Sequence, residues 1–246
     1  MKLVKKIWQI LPRLTQRIYE DHAEAGMVGS HHDPEHAIRV AQMALEIGGS
    51  GRVALRAGAA GLCHNADRIL QHKLKLDLRQ EVPKERIRQL IESELGAETS
   101  VFTPVEIGFI IDAVLKHDGK NDPADSPELV VLMDADRLVN AEPDLIIRSA
   151  QLYNRLPPLD PLHFWSDPDA TFRDPKSVLY DIMQTVAWLT PGTPFYVRLP
   201  KAREIAGKRK KFFDDFGEQL IACRRETGFH PYPKELIALR ARFVKA

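Results

Sequence analysis

The sequence has few cysteines and no long hydrophobic run, and each absence excludes a class of protein. Its 246 residues include only 2 cysteines, Cys63 and Cys223, which is too few for a disulfide-rich scaffold. No stretch reaches the roughly 18 consecutive apolar residues that a membrane-spanning helix needs. The N-terminus is basic but lacks the continuous apolar segment of a secretory signal. We therefore expect no membrane partner and a location in the reducing cytoplasm.

An excess of charge of one sign is also missing. The chain has 35 Lys and Arg residues against 34 Asp and Glu residues, a formal net charge of +1. Sequence-independent binding to nucleic acid depends on a broad basic field, so nucleic acid is not an expected partner. Neither an internal repeat nor a low-complexity tract is visible. The hydrophobic fraction of 44% is enough for a substantial buried core, and it indicates a globular protein.

Strand patterns are nearly absent, and helical patterns dominate. Asp33 followed by Pro34 predicts a helix start, because an acidic cap and a proline at the first helical position are typical of one. Thr103-Pro104-Val105-Glu106 has the form of a capping box and predicts another. Apolar residues at helical spacing predict further helices over residues 52–70, 81–95, 129–138, 177–189 and 201–226, with an irregular loop over 156–175. The expected fold class is all-α.

Histidines and acids lie within or next to these predicted helices. Imidazole and carboxylate groups together suit one divalent transition metal. His64 is the most unusual, because a histidine in an apolar helix must be hydrogen-bonded or bound to a metal to offset its burial. Asp134 and Asp136 are two positions apart, roughly 200° around a helix, so they cannot both face one ion. The histidines taken singly could instead be hydrogen-bonded core residues.

Four blocks of this sequence resemble, in order and spacing, the HD superfamily of metal-dependent phosphohydrolases. They are His32-Asp33-x-x-His36-x-x-Arg39-Val40, Leu62-Cys63-His64-Asn65, His117, and Asp134-Ala135-Asp136-Arg137-Leu138. The resemblance spans residues 20–140. It implies a single HD-type helical domain over residues 1–246, in which a bundle over about 20–140 is followed by a helical extension over about 141–246.

The resemblance also implies a metal site. His36, His64, the residue after His64 and a distant aspartate would bind Mn, Fe, Ni, Co, Zn or Mg, and we assign the distant ligand to Asp136. In the family the residue after His64 is an aspartate, whereas this chain has Asn65, whose neutral carbonyl oxygen is a weaker ligand and a poor proton acceptor. Asp67, three residues after His64, is the nearest acid that could compensate.

Two functions follow from the resemblance. In the first, the chain hydrolyses a small phosphate ester or nucleotide-like substrate through a metal-bound water, with His117 as an acid or added ligand, and with Arg39 beside the phosphate or the ligands. In the second, Asn65 marks a catalytically degenerate domain that senses a nucleotide or binds a partner protein. A homodimer is compatible with both, because an exposed apolar face on the N-terminal or C-terminal helix could form one, but packing within the monomer explains the same apolar pattern.

Overall fold

The computed structural model describes residues 6–77, 80–98, 100–165, 167–171 and 174–243, apart from the side chain of Ala97. Within these ranges the chain forms helices and no β-strand, so the all-α prediction is confirmed. The α-helices are α1 (Ile7–Ile10), α2 (Pro12–Glu24), α3 (Pro34–Gly48), α4 (Arg52–Cys63), α5 (Ala66–Lys73), α6 (Lys84–Leu95), α7 (Pro104–Val114), α8 (Pro127–Asn140), α9 (Leu145–Leu152), α10 (Val178–Ala187), α11 (Pro200–Glu226) and α12 (Lys234–Ala241).

The centre of the fold is the contact between α3 and α4. Both helices pack against α8, and α7 packs against α4 and α8. Gly61 allows the close approach, since a Cβ at this position would lie 2.8 Å from the backbone N and Cα of Ala41. This tight crossing brings the polar residues of α3, α4 and α8 to one place inside an otherwise apolar core.

The predicted helix starts are confirmed. The carboxylate of Asp33 accepts the backbone N–H of His36 at 2.8 Å, which caps α3, and Pro34 occupies its first turn. Thr103 and Glu106 form the capping box of α7. These local bonds fix the direction in which each helix leaves its loop, and His36 is held in the first turn of α3 as a result.

The prediction of one continuous helix over residues 52–70 was wrong. Helix α4 ends at Cys63, α5 begins at Ala66, and Asn65 has φ −83° and ψ 11°. The Nδ1 atom of His64 donates to the carbonyl oxygen of Gly61 at 2.7 Å, and a side chain that bonds to a local carbonyl competes with the helix. Consequently, Asp67 belongs to a different helix from the apolar segment that precedes His64.

A smaller core holds the C-terminal region together. It consists of Leu145, Ile182, Val186 and Phe213, which join α9, α10 and α11. The sequence patterns did not predict α9 or α12, and α12 buries none of its residues. No helix of the described residues is long and apolar enough to cross a membrane. Both cysteines are free, with Cys63 buried and Cys223 exposed.

Candidate metal centre

Three predicted ligands meet where α3, α4 and α8 cross. The Oδ1 atom of Asp136 lies 3.4 Å from Nε2 of His36 and 3.6 Å from Nε2 of His64. One ligand atom from each residue lies within 4.8 Å of the other two. Among the described residues this is the one group of three or more such side chains that could hold a metal ion. The first, second and last sequence blocks therefore converge.

The distances and the donor types fit a divalent transition metal. Ligands at about 2.0–2.2 Å from a tetrahedral ion are roughly 3.3–3.6 Å apart, close to the two measured separations. The Nδ1 atom of His36 is buried and makes no hydrogen bond to any described residue, while its Nε2 atom faces the carboxylate of Asp136 at 3.4 Å. A buried polar atom without a partner, as Nδ1 is, needs an explanation, and Nε2 is close enough to Oδ1 of Asp136 for the two to share a metal ion. The residues present thus fit a metal better than a purely structural role.

The electrostatics of the three residues favour cation binding. Burial, opposed by the nearby carboxylate of Asp136, lowers the pKa of His64 to about 3, so the ring is neutral and able to act as a ligand. Burial alone would raise the pKa of Asp136, but the neighbouring rings of His36, His64 and His117 hold it below its ordinary value. A neutral imidazole on His64 and a carboxylate anion on Asp136 result.

Neighbouring residues orient these ligands. The Nδ1 atom of His64 is committed to the Gly61 carbonyl, which leaves Nε2 to face Asp136. Asn140, one turn after Asp136 on α8, donates from Nδ2 to its Oδ1 at 2.8 Å. Arg148 on α9 donates to the carbonyl oxygen of Asn140 at 3.2 Å. Helix α9, which the sequence patterns missed, therefore braces the end of α8 that carries the carboxylate ligand.

Asn65 is buried beside His64, with 2% of its surface exposed. Its Nδ2 atom makes no hydrogen bond to a described residue. An amide offers a neutral oxygen and an N–H donor at a position where a carboxylate would offer two anionic oxygens. Asn65, the predicted fourth ligand, therefore follows a metal ligand directly in the sequence, but its side chain contributes no negative charge to the site.

His117 lies next to the three-residue group, three residues after the end of α7. Its ring centroid is 5.5 Å from that of His64, and its Nδ1 atom is 2.6 Å from the carbonyl oxygen of Val114. Its Nε2 atom is 3.2 Å from the carboxylate of Asp118. Although burial opposes it, the carboxylates of Asp118 and Asp136 raise the pKa of His117 above its ordinary value. This imidazole is therefore the one best placed to carry a proton.

Arg39 and Asp67 stand apart from the three ligands. Arg39 forms ion pairs with Glu142 and with Asp144, the latter at 2.9 Å, so its charge is balanced by acids that follow α8. Asp67 lies 3.6 Å from Nε of Arg68. Burial raises the pKa of Asp67, and Arg68 opposes that effect. Neither side chain belongs to the group that could hold the ion.

Asp134 faces the opposite side of α8, as its angular offset from Asp136 predicts. Its Oδ2 atom accepts the backbone N–H groups of Arg198 and Leu199, both at 2.7 Å, immediately before α11. The two aspartates of this sequence block therefore have different partners. Asp134 binds backbone N–H groups, and Asp136 faces the two histidines.

Three residues near the centre are not among the predicted site residues: His31, His32 and Arg68, although His32 lies in the first sequence block. The ring centroid of His32 is 5.9 Å from that of His36, and the ring of His31 follows at 4.7 Å from His32. The visible signal was the His31-His32 pair, of which His32 begins the first of the four sequence blocks. Five imidazole rings thus form a continuous row that ends at His117.

Comparisons with known proteins found no relative. No protein-family model matches the chain, and neither a curated protein nor a solved structure matches it.

Proposed function

We propose that this chain is a metal-dependent phosphohydrolase related to the HD superfamily, acting on a small phosphate ester or nucleotide-like substrate. The observation that carries the proposal is the convergence at one point of the core of His36, His64 and Asp136, which belong to three separate segments of the sequence. The order of the sequence blocks supports the choice of family. The approach of Nε2 of His36 and Nε2 of His64 to the same carboxylate oxygen of Asp136 supports the choice of a metal over a structural cluster.

His36, His64 and Asp136 would hold the ion, and Asn65 would add its carbonyl oxygen. A divalent ion bound there supplies Lewis-acid chemistry for the transfer of a phosphoryl group to water. The hydrogen bonds from His64 to Gly61 and from Asn140 to Asp136 keep the ligands in position. His36, His64 and Asn65 are buried and Asp136 is half-buried, so water has restricted access to the ligands and their charges act through a medium of low polarity.

His117 and Asp67 would move protons. The Nδ1 atom of His117 donates to a backbone carbonyl, so the proton available for a leaving oxygen is the one on Nε2. Asp118, next to that nitrogen, stabilises the protonated ring. Asp67 has the chemistry of a proton acceptor for the attacking water. Arg39, paired with Glu142 and Asp144, would support the end of α8 that carries Asp136 rather than neutralise the phosphate directly.

A second candidate is a catalytically degenerate domain that senses a nucleotide or binds a partner protein. Asn65 favours it, because an amide in place of the family's aspartate is a poor proton acceptor and brings no negative charge. The retention of His36, His64 and Asp136 favours the enzyme, since loss of catalysis removes the pressure to keep all three.

Elemental analysis beside a phosphatase screen tests the proposal. The wild type, His64→Ala and the control His72→Ala are purified gently and assayed with Mn, Fe, Ni, Co, Zn and Mg. We chose His72 because it is an exposed histidine in the last turn of α5. Near-stoichiometric metal and phosphate release in the wild type and the control, both lost in His64→Ala, would support the hydrolase. Metal without phosphate release from any ester tested would favour the sensing domain, and an absence of metal would overturn both metal models.

A further inference from the structure

A pair of imidazoles extends the row of rings beyond the metal ligands. His31 and His32 lie in the loop before α3, and both side chains are half-buried. The Nδ1 atom of each is buried and makes no hydrogen bond to a described residue. An unsatisfied buried nitrogen is unfavourable, and these two belong to rings whose centroids are 4.7 Å apart, so one ligand could serve both.

The charges around this pair disfavour a second cation. The guanidinium groups of Arg148 and Arg68 lie within electrostatic range of His31, and so does the carboxylate of Asp136. Arg68 also lies within electrostatic range of His32. Two cations outweigh one carboxylate near His31, so the surroundings repel a second metal ion and attract an anion. A neutral imidazole still carries one N–H, which is a donor to an anion.

Of the two arginines, Arg68 has the freer guanidinium. The Nη2 atom of Arg148 donates to the carbonyl oxygens of Val139 and Asn140, and its Nε lies 3.5 Å from Asp144. Arg68 donates from Nη1 to Gln71, its Nε lies 3.6 Å from Asp67, and 28% of its side chain is exposed. Arg68 can therefore reach a ligand that enters from solvent.

Asn65 points to the same chemistry. Its Nδ2 atom is a third buried nitrogen without a hydrogen-bond partner, next in sequence to His64. An aspartate at this position would repel an anion, whereas the amide N–H attracts one. The substitution that weakens the metal site thus favours an anion beside it.

We propose that His31, His32 and Arg68, with the amide of Asn65, form an oxyanion subsite that binds the phosphoryl group of a phosphate monoester beside the metal centre. The inference rests on the proposed function for the position of the metal. Arginine is well suited to the subsite, because its planar guanidinium matches two phosphate oxygens at once. The ligand chemistry could come from free phosphate or from a phosphate monoester, so the test includes both.

The experiment is a calorimetric titration of the full-length, metal-free chain with inorganic phosphate, adenosine monophosphate and adenosine. The variants are Arg68→Gln, Arg68→Lys and His32→Gln. Arg86→Gln on the exposed face of α6 and His72→Gln on α5 are matched controls. Circular dichroism at each step establishes that every variant is folded.

We expect the wild type and both controls to bind phosphate and adenosine monophosphate, and we expect none of them to bind adenosine. Arg68→Gln and His32→Gln should each bind about tenfold or more weakly, the loss expected for one hydrogen bond to a charged group. Arg68→Lys should fall in between. If adenosine monophosphate binds and phosphate does not, or if folded Arg68→Gln and His32→Gln bind as the wild type does, the subsite is overturned.

Separate metal analysis distinguishes this failure from that of the proposed function. Metal in the wild type without phosphate binding would overturn the subsite and leave the metal centre standing. Phosphate binding that depends on Arg68 and His32 in a chain that never retains metal would support the subsite and overturn the hydrolase. Asn65→Asp adds a further readout, because it should weaken phosphate binding in the metal-free chain.

Discussion

Each of two faces of α8 carries an aspartate, and the two aspartates have different roles. Asp134 has 0% of its surface exposed, and backbone N–H groups of the segment before α11 bind its Oδ2 atom. Asp136, two residues later, faces His36 and His64, whose nitrogens can accept a metal. A carboxylate whose oxygen accepts two backbone N–H groups is a structural anchor, and one that faces two imidazole rings can serve as a metal ligand. The partner decides the role, and the residue type does not.

The largest effect should follow from Asp136→Ala. Removing one of three ligands takes away a large part of the binding free energy. We expect more than the roughly 10–100-fold loss of metal affinity that the removal of a supporting residue causes. Competition against a chelator of known affinity measures it. Asp136→Ala with unchanged metal affinity would mean that Asp136 is not a ligand, and the contrast between the two faces would disappear.

Asp134→Ala should have the next largest effect, on stability rather than on metal. The N–H groups of Arg198 and Leu199 would lose their acceptor, which is unfavourable by roughly 2–4 kcal/mol for the pair. Urea denaturation of the metal-free protein measures this loss. Asp134→Asn is the control, because it keeps an oxygen acceptor and should be clearly less destabilising. A loss of metal affinity in folded Asp134→Ala would contradict the purely structural role of Asp134.

Asn65→Asp tests the same comparison through an increase in metal affinity. A carboxylate next to His64 would add an anionic ligand, and we expect metal affinity to rise about tenfold, or about 1.4 kcal/mol. The chelator competition reports it, with the exposed Asn154→Asp as a control for added charge. If Asn65→Asp left the affinity as it is while Asp67→Ala removed it, Asp67 would be the fourth ligand instead.

The sequence predicted those parts of the molecule that depend on near neighbours. The cap of Asp33 on α3 and the capping box at Thr103 each involve residues three apart, and the offset of Asp136 from Asp134 follows from helical geometry alone. Contacts between side chains that are distant in sequence could not be predicted from local patterns. Arg39 and Asp144 are 105 positions apart, and no local pattern joins them.

The break at His64 and Asn65 was missed for a similar reason. The apolar spacing of residues 52–70 is helical throughout, so periodicity alone predicts one helix. The bond from the His64 ring to the Gly61 carbonyl accompanies the end of α4, and it depends on the buried position of His64. The polar pair in an apolar helix was the visible warning.

A third buried acid gives the smallest predicted effect. Glu94 on α6 is 5% exposed, its Oε2 atom makes no hydrogen bond to a described residue, and Nε of Arg17 is 3.4 Å away. Burial, with the nearby Asp21 carboxylate, raises the pKa of Glu94 from 4.5 to about 7. It has neither the N–H donors of Asp134 nor the histidine rings of Asp136.

The sign of the pH effect follows from that shift. The native state holds the proton of Glu94 more tightly than the unfolded state does, so this residue reduces stability as pH rises from about 4.5 to about 7. Glu94→Gln removes the titrating group. Relative to the wild type, it should therefore gain stability at pH 8 compared with pH 5, by about 1 kcal/mol. Urea denaturation at both pH values measures the difference. An equal effect of Glu94→Gln at the two pH values would mean that Glu94 is ionised in the native protein throughout, with Arg17 as an adequate partner.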